Sequence, residues 1–225
     1  IPLLLLASLS LCSPVLTLAA EATAAVAANF SAPAEALASA FAASSGHQIQ
    51  ISAASTGKLY AQIKNGAPFD LLLSADQKTP QQLIDDGLAD QPSRFTYALG
   101  TLVLWSADRQ LLGDGAAVLK AGQFNHLAIA NPELAPYGAA AMATLRSLGL
   151  AERLNPKLVM GESIAQTYQF AASGNAQLGF VAYSQVLKDG RLGSGSAWPV
   201  PTALYPPLAQ DALLLKRGAD NDAAR

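Results

Sequence analysis

The sequence predicts an α/β protein of two lobes, each a mostly parallel sheet flanked by helices, with a cleft between the lobes. Short apolar runs alternate with stretches whose apolar residues recur at helical spacing. This alternation runs through about the first hundred residues, and it starts again near residue 126. Alternating β and α elements are typical of a parallel sheet with helices on both faces, so two such runs predict two lobes.

The first run has strands of small or apolar residues and helices with clear ends. Residues 33–44 place Ala34 and Phe41 on one helical face, and the pattern stops at Gly46. Residues 70–74 are almost wholly apolar, as expected for a strand that is buried on both faces. The other elements predicted in this run are strands at 22–28, 48–52 and 101–106 and helices at 58–65 and 79–86.

The second run repeats the pattern and predicts a second lobe. It comprises predicted strands at 126–130, 157–160 and 178–182 and predicted helices at 137–147 and 164–172. A Gly- and Pro-rich stretch then interrupts the pattern, and a late strand is predicted at 211–216.

Composition excludes several classes of protein. Hydrophobic residues make up 51% of the chain and charged residues 13%, which is enough for a core and argues against disorder. The net charge of −2 gives no general attraction for nucleic acid, so we expect no nucleic-acid partner. Cys12 is the only cysteine, which excludes disulfides within the chain and metal sites built from several cysteines.

The first twenty residues differ from the rest of the chain. They are uncharged and rich in leucine, and they end in small residues, as the apolar part of a secretory signal does. We predict a partial signal peptide at residues 1–20, cleaved near Ala20-Glu21, and therefore a periplasmic protein. A membrane anchor is the alternative, but the span between Pro2 and Pro14 is too short for it.

One short motif suggests catalysis. Residues 55–58, S-T-G-K, fit the S-x-x-K pattern of serine enzymes, so a serine hydrolase that uses Ser55 and Lys58 is the alternative from another class. The companion motifs S-D-N and K-T-G are absent, and Ser52 stands where a phosphate-binding loop needs glycine. The two histidines are far apart in sequence, and no acidic or histidine cluster has metal-ligand spacing. We expect no catalysis, no cofactor and no metal ligated directly by the protein.

Four loops share one form, in which a strand ends, small polar residues follow and a helix begins. Ser31, Ser55 and Ser163 are the expected caps of three of these helices. Each helix start presents unpaired backbone N–H groups and the positive end of a helix dipole. Ordinary capping explains such loops equally well. If the four converge, however, they form a cleft of neutral donors that suits a small, fully deprotonated oxyanion. The loops span residues 29–33, 55–57, 135–138 and 162–164.

Four longer segments carry a family resemblance, and G-A-P-F-D-L-L-L-S-A-D at residues 66–76 is the most specific part of it. Together they resemble the periplasmic molybdate-binding proteins of bacterial ABC transporters, from Ala24 to Leu215. The resemblance implies the type II periplasmic binding protein fold, with two lobes crossed twice by the chain. On that fold, residues 21–98 and 200–225 are expected to form lobe 1 and residues 99–199 to form lobe 2. It also implies a monomer that captures molybdate or tungstate and delivers it to an inner-membrane ABC permease. The segments are AVAANFSAPAEALASAF, STGKLYAQIKNGAPFDLLLSAD, RFTYALGTLVLWS with IANPELAPYG, and GESIAQTYQFAASGNAQLGFVAYSQ.

The resemblance also implies which residues contact the anion. Tyr137 would contribute its backbone N–H or its hydroxyl, and Thr56→Val is expected to weaken binding with little effect on folding. Sulfate is the alternative ligand, and molybdenum would be bound only as the oxyanion. The family usually continues past Lys216 with a helix, so we expect the C-terminal part of lobe 1 to be truncated. The predicted contacts are Asn29, Thr56, Tyr137 and Ile164, with Ala28, Ser55 and Ser163 as further candidates.

Overall fold

The computed structural model describes residues 19–225, so all but the last two residues of the predicted signal peptide lie outside it. The strands in chain order are β1 Glu21–Ala27, β2 Gln48–Ala54, β3 Leu71–Leu73, β4 Phe95–Gly100, β5 Leu102–Ser106, β6 Leu127–Ala130, β7 Leu158–Gly161, β8 Leu178–Ala182, β9 Leu187–Lys188, β10 Arg191–Leu192, β11 Ser196–Pro199 and β12 Leu208–Leu214. The α-helices are α1 Ser31–Ser45, α2 Thr56–Lys64, α3 Lys78–Asp85, α4 Gly115–Ala121, α5 Pro136–Ser147, α6 Ala151–Leu154, α7 Ile164–Ala172 and α8 Tyr183–Val186.

The strands form two five-stranded sheets and a small hairpin of β9 and β10. The first sheet has the order β2-β1-β3-β12-β4, and the second has the order β11-β5-β8-β6-β7. Three neighbouring strands in each sheet are parallel, namely β2, β1 and β3 in the first and β8, β6 and β7 in the second. The remaining pairings are antiparallel, so both sheets are mixed and only their parallel halves follow the predicted pattern.

The antiparallel strands are those next to the two places where the chain passes between the sheets. β4 ends in the first sheet at Gly100 and β5 begins in the second at Leu102, so the first crossing is at Thr101. The chain returns between β11 and β12, over residues 200–207. The predicted lobe division at residues 98 and 199 stays a prediction, and β4 continues two residues beyond it.

The core of each lobe lies between its sheet and its helices. Every residue of β5, β6 and β8 is buried, which explains why these strands are continuous apolar runs rather than alternating ones. Leu59 and Leu83 from α2 and α3 fill one face of the first sheet, and Leu145 from α5 packs on the second. Within residues 19–225, no helix is both long and apolar enough to span a membrane.

The parallel strands determine where a ligand can bind. β1, β2, β6 and β7 are each followed directly by a helix start, by way of the short 3₁₀ turn Ala28–Phe30 in the case of β1. In an open α/β sheet, ligands bind outside the carboxyl ends of the strands, where the helix N-termini also lie. Two of these ends belong to each sheet, and they face one another across the gap between the lobes.

Candidate ligand-binding site

The four helix starts meet around one small cavity between the lobes. Its volume is only about 10 Å³, room for about one water-sized sphere, and far below the roughly 300–1,000 Å³ typical of sites for drug-sized molecules. Such a space suits a small ion. The lining comes from both lobes and comprises Ala27, Ala28, Asn29, Ser55, Thr56, Ala75, Ala135, Pro136, Tyr137 and Ile164.

Six of the seven predicted site residues line this cavity, and Ser163 does not. The Ser163 hydroxyl instead accepts a hydrogen bond from the backbone N–H of Gln166 at 3.3 Å, so it caps α7. Ala75, at the end of β3, is a lining residue that the sequence reasoning missed. It belongs to the motif at residues 66–76, which was therefore the available signal for it.

In the described part of the chain, no charged side chain lines the cavity. Lys58, two residues after Thr56 of the cavity wall, lies in the first turn of α2. Its Nζ is 3.7 Å from Glu162 Oε2 of the other lobe. Both side chains are mostly exposed, so this ion pair lies at the surface and contributes little to stability. An anion in the cavity would therefore be held by neutral donors and helix dipoles.

Ser55 carries the least expected feature of the site. It precedes α2 in the N-cap position, yet its hydroxyl makes no capping hydrogen bond. The residue is only 4% exposed, and its Oγ is buried without a hydrogen-bond partner. Leaving a buried hydroxyl unpaired costs about 1–3 kcal/mol. The neighbouring Thr56 differs, because its Oγ1 accepts a hydrogen bond from the Ala75 N–H at 3.2 Å.

The start of α1 differs from the prediction. Ser31 was expected to cap α1, but it is the first residue of the helix, and its hydroxyl donates to the Ala28 carbonyl at 3.2 Å. The short 3₁₀ turn before it directs Asn29 into the cavity wall, where the residue is 4% exposed. Asn29 Nδ2 donates to Gln210 Oε1 at 2.8 Å, which uses one of its two N–H groups.

The Tyr137 hydroxyl belongs to the polar contacts near the first crossing. It accepts from Gln210 Nε2 at 3.3 Å, and a Cβ added to Gly100 would collide with it. Burial raises the pKa of Tyr137 well above its ordinary value, and it does the same to Tyr97, so both hydroxyls stay protonated at neutral pH. The hydroxyl is only an acceptor in its bond with Gln210 and keeps its own proton to donate, and the backbone N–H of Tyr137 at the start of α5 is a further donor.

Within residues 19–225, Ser55 and Lys58 are not arranged as an activated nucleophile and its base. Ser55 Oγ has no hydrogen bond to any side chain, so it lacks the general base that a serine hydrolase needs. Lys58 is paired with Glu162, and His47 Nδ1 accepts from the Ala20 N–H at 2.9 Å. Over residues 19–225, no three His, Cys, Asp or Glu residues lie close enough together to hold a metal ion.

The fold and the donor-lined cleft are those of solute-binding proteins, and the chain belongs to the bacterial extracellular solute-binding protein family, whose model matches residues 22–225. It is 55% identical over 207 residues to the molybdate-binding protein ModA of Azotobacter vinelandii, which covers 92% of this chain and 82% of the relative. It is 51% identical over 207 residues to ModA of Rhodobacter capsulatus, covering 92% and 81% of the two chains.

A solved structure agrees with this assignment. The Azotobacter vinelandii periplasmic molybdate-binding protein matches with a TM-score of 0.85 and 42% identity, over 88% of this chain and 87% of that chain. The predicted fold class and the predicted resemblance to periplasmic molybdate-binding proteins are therefore confirmed.

Proposed function

We propose that this chain is an extracytoplasmic solute-binding protein that holds molybdate, or tungstate, between its lobes. The observation that carries the proposal is the buried, unpaired hydroxyl of Ser55 in a cavity at four helix starts. A buried donor without a partner is stabilised by an acceptor that enters the cavity. The names of the most similar relatives support molybdate as that acceptor.

The proposed donors come from both lobes. Ser55 contributes its hydroxyl and Asn29 its second amide N–H, while backbone N–H groups come from Thr56, Tyr137 and Ile164. Thr56 can also donate the proton of its hydroxyl, because that hydroxyl is only an acceptor in its bond to Ala75. Each hydrogen bond to a charged acceptor contributes about 1.5–3 kcal/mol net. Several such bonds give tight binding without a cation in the site.

The same donors discriminate between oxyanions according to whether the anion carries a proton. Molybdate, tungstate and sulfate are acceptor-only dianions at neutral pH, whereas hydrogen phosphate carries a proton that needs an acceptor. Among the described residues no carboxylate lines the cavity, and the hydroxyls of Ser55 and Thr56 are assigned as donors, so hydrogen phosphate would meet no dedicated acceptor for its proton. Ser163 has no contact role in this proposal, because it caps α7. Ala28 contributes to the wall of the cavity.

In the proposed cycle, the protein works in the periplasm as a monomer and delivers the anion to an inner-membrane ABC permease. Both lobes donate to one anion, so the ligand stabilises the closed arrangement of the lobes. The permease could then distinguish the loaded protein from the empty one by its shape. The bound oxyanion is the transported ligand and not a cofactor, and the proposal includes no catalytic step.

Isothermal titration calorimetry of the chain with molybdate, tungstate, sulfate and phosphate tests the proposal. We expect tight binding of molybdate and tungstate and no heat with phosphate at neutral pH. Exclusive binding of sulfate would overturn the choice of ligand, and no heat with any of the four would overturn the class of ligand. Ester hydrolysis that disappears in Ser55→Ala would instead favour the hydrolase.

A further inference from the structure

The side-chain amide of Gln210 joins two residues of the proposed site, one from each lobe. Its Oε1 accepts from Asn29 Nδ2 at 2.8 Å, and its Nε2 donates to the Tyr137 hydroxyl at 3.3 Å. A third contact is the Tyr97 hydroxyl, 3.0 Å from the same Oε1. Gln210 does not line the cavity itself, so it acts on a ligand only through these neighbours.

The fold holds Gln210 firmly in this place. It lies on β12, the strand that follows the second crossing, and it is 2% exposed. The register of β12 with β4 shifts between Gln210 and Asp211, and irregularities of this kind re-aim side chains. A Cβ at Gly100 would stand 2.6 Å from Gln210 Nε2, so a glycine at this crossing leaves the room that the amide occupies.

The contacts of Gln210 determine which way the Asn29 amide faces. Nε2 of Gln210 donates to Tyr137, and the other end of the amide presents to Asn29 an oxygen that also accepts from the Tyr97 hydroxyl. An oxygen accepts from the Asn29 nitrogen but repels the Asn29 oxygen. Reversing the Asn29 amide would place two acceptors against each other in a buried site, which is costly. Asn29 is thus held with its nitrogen on the side of Gln210, and its second N–H is left to donate to the Tyr137 hydroxyl or to a ligand.

We propose that Gln210 is a positioning residue that determines which oxyanions the site accepts, because it holds Asn29 as a donor. The inference rests on the proposed function. With Asn29 released, its carbonyl oxygen could turn towards the ligand. That oxygen would repel a fully deprotonated dianion and accept the proton of hydrogen phosphate. Gln210 therefore favours molybdate over hydrogen phosphate without touching either.

The test is Gln210→Met, which keeps the approximate shape of the side chain and removes both ends of the amide. We expect molybdate to bind about tenfold more weakly, and the ratio of the molybdate and hydrogen phosphate affinities to fall. The same substitution is then made in an Asn29→Ala background, where we expect it to change molybdate affinity less than about twofold. A loss of affinity that depends on the presence of Asn29 separates a positioning role from a general structural effect. Calorimetry with both anions gives all of these values.

Gln77→Met is the matched control. Gln77 Nε2 donates to Asp211, next to Gln210 on β12, but it contacts neither Asn29 nor Tyr137. We expect this control to leave the ratio of anion affinities unchanged. Gln210→Glu is the second variant, in case the Met variant does not fold. It keeps an acceptor for Asn29, so the added charge should weaken both anions while the preference for molybdate remains.

The outcomes separate the two proposals. An equal loss from Gln210→Met in both backgrounds, or an unchanged ratio of anion affinities, would overturn the role of Gln210 and leave molybdate binding intact. Loss of the preference in a folded Gln210→Glu variant would do the same. Absence of molybdate binding by the unaltered chain would overturn the proposed function and this inference together.

Discussion

The backbone N–H of Gly57 donates to the carbonyl oxygen of Leu134 at 2.9 Å, so the first turn of α2 in lobe 1 is bonded directly to the loop before α5 in lobe 2. A Cβ on Gly57 would stand 3.1 Å from Leu134 Cα and 3.2 Å from its carbonyl oxygen. The lobes approach this closely because residue 57 has no side chain. Ser184 adds a second bond between the lobes, donating to the Asn29 carbonyl at 2.8 Å.

Gly57→Ala is therefore expected to weaken molybdate binding. The added methyl group must displace Leu134 in the closed arrangement, and overpacking of this kind costs about 1–3 kcal/mol. Without ligand, the free energy of unfolding should stay constant or rise, because alanine favours a helix more than glycine does. Calorimetry and urea unfolding measure the two effects. Gly113→Ala is the control, since nothing lies within 4 Å of a Cβ there, and equal affinities in the two variants would contradict the expectation.

Ser55→Ala should change stability and affinity in opposite directions. Removing a buried hydroxyl that has no partner should leave the ligand-free protein as stable as before, or up to about 1 kcal/mol more stable. The same change removes a proposed donor to the anion, so molybdate affinity should fall by about 1.5–3 kcal/mol. Urea unfolding without ligand and calorimetry with molybdate measure the two quantities. An unchanged affinity would remove this hydroxyl from the site.

The helix starts could be predicted from sequence because their signals are local. A strand that ends in small polar residues before a helical pattern is visible within about ten residues, and the predicted starts of α5 and α7 agree with the structure to within one residue. The strand β4 was missed. Its residues Phe95 and Leu99 are exposed, so it shows neither an apolar run nor clear alternation. An edge strand of this kind forms because it pairs with β12, which is more than a hundred residues away in the sequence.

The site was predicted less completely than the fold, since its hydrogen bonds join distant segments. The sequence shows hydroxyls at Ser55 and Thr56, but it cannot show that only Thr56 finds a partner, 19 residues away at Ala75. The bond between Asn29 and Gln210 spans 181 residues. The sequence reasoning therefore emphasised the Thr56 hydroxyl, while the unpaired hydroxyl in the structure is that of Ser55.

For Thr56→Val, the structure predicts a result that differs from the expectation drawn from sequence. Sequence alone predicts weaker binding with little change in folding. In the structure, Thr56 Oγ1 accepts from the Ala75 N–H, and valine would leave that buried N–H unpaired. We expect a loss of about 1–3 kcal/mol in the free energy of unfolding, in addition to weaker molybdate binding. Urea unfolding tests this, with Thr56→Ser as the control that keeps the hydroxyl. Unchanged stability in Thr56→Val would contradict it.

A partly buried ion pair next to Gln210, between Arg94 and Asp211, predicts how stability depends on pH. Asp211 accepts from Arg94 Nε at 2.6 Å, from Thr96 Oγ1 at 2.6 Å and from Gln77 Nε2 at 3.1 Å. Burial by itself would raise the pKa of the Asp211 carboxyl. The hydrogen bonds from Thr96, Arg94 and Gln77 and the charge of Arg94 outweigh burial, so the pKa lies below its ordinary value of 3.8.

A carboxyl whose pKa is lowered by folding stabilises the protein above its unfolded pKa, and this contribution is lost as the pH falls through the folded value. Asp211→Asn should thus reduce the free energy of unfolding by about 1–3 kcal/mol at pH 7, and the difference from the unaltered chain should shrink below about pH 4. Urea unfolding of both proteins between pH 3 and 7 measures this difference in the free energy of unfolding. Asp86→Asn, at an exposed pair with Lys64, should show a much smaller difference because water screens that pair. A difference for Asp211→Asn that stays constant from pH 3 to 7 would contradict the prediction.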